Sequence, residues 1–208
     1  MRRTDIKEFR RQQLIEATIA SIAKRGFAET TLADVAGGAG LSHGIVNFYF
    51  KSKEALLVAT LKHLAEEYEV FWRSAVARAG PSPAAKLDAI IEADFHPAIA
   101  NRKKIAVWFA FWGEARSRPE YLRLCNKLDA AYFEQTHSLC RQIIDQGGYD
   151  ELDATRIARG LNAMIDGLWL DLLINPRDFD RETAKRTCRL FLDSVFPAEF
   201  ADRGRSAA

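Results

Sequence analysis

The sequence predicts an all-α protein in which a small three-helix module precedes a longer helical body. Apolar residues recur at helical spacing along nearly the whole chain. Glycine and proline stops at Gly26, Gly40, Gly80-Pro81, Gly147-Gly148 and Asn175-Pro176 cut this periodicity into helix-sized segments. No segment alternates apolar and polar residues as a half-buried strand would. With 208 residues, 48% hydrophobic and 28% charged, the composition is that of one or two packed globular domains.

The first helix is expected to run to Arg25 on a stripe of Ile15, Thr18, Ile19 and Ile22, and Gly26 ends it. Phe27 is expected to close a small core with Leu32, Val35, Leu41, Val46 and Phe50. Thr31 can cap a second helix with its hydroxyl. Gly40 supplies the left-handed residue that ends that helix, and Ser42 can cap a third that runs through Tyr49. Ser52 caps a fourth, with Glu54 where the helix dipole favours a carboxylate.

A short helix, a glycine turn and a second short helix form the helix-turn-helix pattern, whose second helix enters the DNA major groove. Ser42, His43, Gly44, Asn47, Phe48 and Tyr49 would face outward, with Val46 and Phe50 inward. The outward set offers hydrogen-bonding groups for base edges, aromatics for thymine methyls and a phenol for phosphate. The alternative is a helical hairpin inside an ordinary bundle. Charge favours DNA: residues 1–53 carry nine Lys/Arg against five Asp/Glu, hence +4 of a total of +2. Arg2, Arg3, Lys7, Arg10 and Arg11 form a basic arm that could track phosphate or enter a minor groove.

The run Phe27, Thr31, Val35-Ala36, Ala39-Gly40-Leu41-Ser42, Gly44, Tyr49-Phe50, Lys53 and Leu56 resembles the N-terminal domain of TetR-type repressors. The resemblance implies that Thr31, Tyr49 and Lys53 contact phosphates. It places Ser42, His43, Gly44, Asn47 and Phe48 in or beside the groove. Asn47 stands where the family often has Tyr, which points its contact to a base rather than a phosphate. Gly37-Gly38 replaces bulkier residues, so the second helix is expected to fray early.

These readings divide the chain into a DNA-binding domain (1–51), a regulatory and dimerisation domain (52–197) and a disordered tail (198–208). The helix from Ser52 runs to about Ala79 and links reader to body. Further helices carry Leu87, Ile90, Ile91 and Phe95; then the aromatic run IAVWFAFW; then Tyr121, Leu124, Leu128, Tyr132, Leu139 and Ile143; then MIDGLWLDLL; and a last one ends at Pro197.

Asp166 lies in an apolar helix, and a buried carboxylate needs a cation or donors. Trp108 and Trp112 share a helix face. With Trp72 and Trp169 they could ring an anionic centre, which suits a quaternary ammonium held by aromatic faces at about 0.5–2 kcal/mol each. The alternative is that these tryptophans are core and Asp166 pairs with an arginine. The stretches AVWFAFW, RPEYLRL and LNAMIDGLWLDLL resemble the BetI-type repressors. This implies choline as effector and glycine betaine synthesis genes as target. A TetR-type sensor of another cationic or aromatic molecule, such as an exporter's repressor, is the other reading. The TetR resemblance also implies a homodimer through the last two helices, with Gly160, Leu161, Met164, Leu168, Leu172, Leu190, Phe191 and Val195 packing against their copies. Two readers would then sit about 34–36 Å apart on a pseudo-palindrome.

Cys125, Cys140 and Cys188 show no metal-ligand spacing and, being odd in number, no disulfide framework. His63 and Glu66 could share a metal by spacing, though a solvated helix face explains them. With no nucleophile motif, phosphate-binding glycine loop or metal cluster, neither an enzyme nor a cofactor is expected. The absence of a membrane-length apolar run or leader sets the expectation of a cytoplasmic protein without membrane contact.

Overall fold

The computed structural model describes residues 3–201, with side chains from Asp5 onward. Arg2, the side chain of Arg3 and the expected tail over 202–208 lie outside the described residues. The helices are α1 (Arg3–Arg25), α2 (Leu32–Gly38), α3 (His43–Tyr49), α4 (Lys53–Arg78), α5 (Pro83–Asp94), α6 (Arg102–Ala115), α7 (Pro119–Gly147), α8 (Ala154–Ile174), α9 (Arg181–Val195) and α10 (Pro197–Phe200). No strand occurs among the described residues.

Packing divides the chain into two units. The first holds residues 1–67 and 102–126, the second 68–101 and 127–208. Helices α4 and α7 therefore each begin in the first unit and end in the second.

In the first unit α1 packs on α2 and α6. Leu14, Ile15, Ile19, Ile22, Val35, Val46 and Phe50 are buried there, as their spacing requires. Thr31 caps α2 and goes further than expected. Its hydroxyl accepts from Asp34 N while Asp34 returns a bond to Thr31 N, a reciprocal capping box. Gly40 takes φ +63°. Two expectations about helix ends fail. Helix α2 keeps both Gly37 and Gly38, its end fixed by the Ala39 N–H on Val35 and Gly37 carbonyls. Ser42 holds the N-cap position of α3 but its hydroxyl makes no capping bond.

Phe27 does not close the α2–α3 core. It packs edge-on against Phe111 and Tyr121, with centroids 5.4 and 6.0 Å away, and the Arg118 guanidinium lies over it. Arg118 also pairs with Glu54 at 2.7 Å and Glu114 at 3.2 Å. The turn after α1, the start of α4 and the α6–α7 corner are thus tied by one cation.

The second unit is built on Leu87, Ile90, Ile91, Phe95, Leu139, Ile143, Ile165 and Leu192, all buried. On the outer face of α5, Asp88 and Glu92 pair with Arg189 and Lys185 of α9 at 2.5–2.7 Å. The chain stays ordered past the expected boundary at 198. Helix α10 buries Phe200, and the Tyr149 hydroxyl donates to Glu199. Phe200→Ala is expected to destabilise the protein by roughly 3–5 kcal/mol, the usual cost of emptying a buried phenylalanine site. Urea unfolding measures it, and a loss below about 1 kcal/mol would contradict the burial.

Candidate functional site

Helix α3 presents a polar and aromatic face. Ser42, His43, Gly44, Asn47 and Phe48 are exposed, Tyr49 is half-buried, and Val46 and Phe50 turn inward, as the spacing requires. Phe48 is 77% exposed, and its ring packs edge-on against Tyr49. An aromatic so exposed on a seven-residue helix gains little from folding. Asn47 Nδ2 and His43 Nδ1 lie 3.1 Å apart, one turn from each other, which fixes both side chains on the outer face. A Cβ on Gly44 would come no nearer than 3.9 Å to any neighbour, so nothing within the chain requires a glycine there. Thr31 and Asp34 are engaged with each other, and Arg25 pairs with Asp34 at 3.2 Å. The Lys53 ammonium donates to the Ala28 carbonyl at 3.2 Å and the Phe27 carbonyl at 3.5 Å, leaving one of its three protons unassigned.

In the second unit the buried carboxylate is Asp94, which the sequence reading did not single out. It is the last residue of α5 and fully buried, on one stripe with Leu87 and Ile91. Tyr68 of α4 donates to its Oδ1 at 2.6 Å and Tyr132 of α7 to its Oδ2 at 2.5 Å. Trp169 of α8 donates its indole N–H to the Asp94 carbonyl at 3.0 Å, satisfying one of the orphan acceptors of the helix end. The rings close around the acid. Tyr68 and Tyr132 stack at 5.8 Å, Tyr68 meets Trp169 edge-on at 5.5 Å, and Trp72 meets Tyr132 edge-on at 5.8 Å.

The electrostatics of Asp94 are unfavourable. No ion pair among the described residues includes it, in contrast to Asp88 and Glu92 on the same helix. It also sits at the negative end of the α5 dipole. Burial pushes its pKa up to about 7 against the pull of the two phenols, and the charge of Asp166 adds to the rise. Both phenols are driven well above their usual range, by burial first and by Asp94 next. Both donors are neutral, so the carboxylate meets no opposite charge among the described residues.

Of the expected ligand residues, Trp72 and Trp169 join this cluster. Trp108 and Trp112 pack on each other at 6.2 Å on α6, beside Phe109, and belong to the first unit. Asp166 is a correction in burial: it lies on an exposed position of α8. Its carboxyl is still partly screened from solvent, and that, with nearby Asp129, raises its pKa to about 6. The missed residues carried a legible signal in part, since an acid in the apolar run AIIEADF falls on the buried stripe of its helix.

Along α8, Ala163, Gly167, Leu170 and Ile174 are exposed at 4-3-4 spacing, and Leu190 of α9 is 64% exposed. Met164, Leu168, Phe191, Val195 and Gly160 are half-buried. Leu161 and Leu172 turn into the core of their own chain, because α8 is apolar on both faces and their side is covered from within. A Cβ on Gly160 would stand 3.2 Å from the Phe191 ring, so this glycine lets α8 and α9 approach.

Two family models match the chain. Residues 14–60 match the bacterial regulatory proteins of the tetR family, and residues 83–197 match the C-terminal domain of the BetI-type transcriptional repressors. The chain belongs to the TetR family, in its BetI-type branch. This BetI-type repressor is 35% identical over 198 residues to the HTH-type transcriptional regulator BetI of Paraburkholderia xenovorans, spanning 94% of this chain and 97% of that one. It is 36% identical to the BetI regulator of Stenotrophomonas maltophilia, over 93% and 96% of the two chains. Among solved structures, a transcriptional regulator from Pseudomonas aeruginosa superposes with a TM-score of 0.81 at 27% identity over 94% of each chain. A regulator from Saccharomonospora viridis, solved in complex with choline, has the same fold at TM-score 0.76 and 21% identity, over 88% and 95% of the chains. The BetI-type repressor is thus a DNA-binding transcriptional regulator and not an enzyme. Among the described residues, no helix is long and apolar enough to cross a membrane and no cluster could hold a metal.

Proposed function

We propose that this BetI-type repressor acts as a homodimer on the operator of glycine betaine synthesis genes and is released by choline bound at Asp94. The observation that carries the effector reading is a fully buried carboxylate served only by neutral donors and set among four aromatic rings. A protein gains nothing in stability from such an acid. A quaternary ammonium, which donates no N–H bond, would find there a counter-charge and ring faces together. The choline complex of the S. viridis regulator and the names of the BetI relatives support this identity.

On the DNA side, Thr31, Tyr49 and Lys53 take phosphates, and Ser42, His43, Gly44, Asn47 and Phe48 line the groove. The missing side chain of Gly44 lets the DNA backbone come close. Asn47→Ala is expected to relax preference at one base pair per half-site by about 1–3 kcal/mol while keeping the salt dependence of binding. Binding to a library of single-base operator variants measures it, and an unchanged preference would remove Asn47 from base reading. Effector and operator must weaken each other by the same factor. The deciding experiment is a gel shift on the DNA upstream of the betaine synthesis genes, titrated with choline, betaine aldehyde and larger hydrophobic cations. Release by the hydrophobic cations but not by choline would replace this effector with another cation.

A further inference from the structure

We infer that Trp72 is the residue that reads the oxygen of the cationic effector. The inference rests on the cation reading of the Asp94 cluster. Three buried polar atoms among the described residues have no hydrogen-bond partner: Trp72 Nε1, Tyr121 OH and Asn162 Oδ1. Tyr121 lies under the charges of Glu54 and Arg118, and Asn162 belongs to a half-buried residue whose amide can turn towards water. Trp72 has neither recourse. It is fully buried, and an indole N–H can only donate. Buried donors in native proteins are almost always paired, so an orphan beside a binding cluster marks a place for a ligand acceptor.

The surroundings of Trp72 separate it from the other three rings. Its ring stands perpendicular to that of Tyr132, centroids 5.8 Å apart, and the Tyr132 hydroxyl is bonded to Asp94, so it stands one side chain away from the acid. The Arg73 guanidinium covers its ring at 4.5 Å. A second positive charge is poorly received on a ring that already carries one. Tyr68, Tyr132 and Trp169 bear no such cation among the described contacts; the two phenols bond the Asp94 carboxylate, and Trp169 bonds the main-chain carbonyl of the same residue. The cluster thus divides its labour. Three rings and Asp94 take the ammonium head, and Trp72 donates to an oxygen carried by the same molecule. An isostere with a methyl group in place of the oxygen would leave the indole N–H unpaired, and this is the kind of mismatch by which polar sites reject analogues.

The test compares choline with propyltrimethylammonium, which replaces the hydroxyl by a methyl, by calorimetric titration of the full-length protein. The wild type should bind choline about tenfold more tightly. In Trp72→Phe this preference should fall to twofold or less, because choline weakens while propyltrimethylammonium stays within about twofold of its wild-type affinity. Equal binding of the two ligands by the wild type, or an undiminished preference in a folded Trp72→Phe protein, overturns the assignment. If Trp72→Phe does not fold, the wild-type ratio decides: tenfold sustains the oxygen reading and a ratio within twofold sinks it. Failure of both ligands to bind the wild type would overturn the cation reading itself, a result distinct from equal binding.

Discussion

Asp94→Asn is expected to weaken choline binding at pH 8 by roughly 30- to 100-fold, the usual consequence of removing one partner of a buried charge pair. Affinity for the operator should stay within about twofold. The substitution is isosteric: Oδ1 can still accept from one phenol and Nδ2 can donate to the oxygen of the other. Two further signatures separate a counter-charge from a structural role. The first concerns ligand affinity. The anionic form of Asp94 attracts the cation, and burial places its pKa near 7. The ionised fraction therefore rises from about one tenth at pH 6 to nine tenths at pH 8, and choline should bind up to about tenfold more tightly at the higher pH. Asp166, raised to about 6, acts in the same direction but has largely ionised by pH 7. Asp94→Asn should flatten most of this slope.

The second signature concerns folding. The folded-state pKa of Asp94 lies above its unfolded value, so the folded protein holds the proton more firmly. Its contribution to stability is complete below about pH 4 and is lost as pH climbs through 7. The Asn variant escapes that loss and should unfold at a higher temperature than wild type at pH 8, with a smaller difference at pH 5. Calorimetric choline binding that is unchanged in Asp94→Asn would end the counter-charge role.

The second large effect is expected from Gly167→Arg. Nothing lies within 4 Å of a Cβ built at this position, so the single chain has room for a long side chain. Replacing a mid-helix glycine even removes a helix penalty of about 1 kcal/mol. Yet Gly167 lies in the exposed apolar seam with Ala163, Leu170 and Ile174. A seam at 4-3-4 spacing is what one helix offers to another. If the second copy covers it, an arginine there places a charge in the closest part of the interface. Sedimentation should then show a folded monomer. Operator affinity should fall by about 100-fold or more, because two reading heads bound together gain from effective concentration and a single one does not. A variant that remained dimeric with full operator affinity would move the interface elsewhere.

The reading head was legible from sequence because its determinants are local. Thr31 and Gly40 act within a few residues of themselves, and the outward set of α3 follows from its phase against Val46 and Phe50. The cluster around Asp94 was not legible in the same way. Tyr68, Asp94, Tyr132 and Trp169 come from four helices, and the bonds that join them span 26 to 75 residues. On its own helix each tyrosine looks like any core aromatic. Asp166 drew attention because apolar residues flank it on both sides, but α8 is apolar on two faces, so flanking residues could not say which face was covered. The same ambiguity put Leu161 and Leu172 among expected partner contacts when they fill their own chain's interior. Phe27 was assigned to the nearest core in sequence, whereas its partners Phe111 and Tyr121 arrive from 84 and 94 residues downstream.

Lys53 is the first residue of α4, and Arg118 holds its neighbour Glu54 at 2.7 Å. The same guanidinium lies over Phe27, whose carbonyl, with that of Ala28, receives the Lys53 ammonium. One arginine on α7's approach therefore steadies that lysine at both ends, its root through Glu54 and its tip through the Phe27–Ala28 turn, and losing it would slacken the two together.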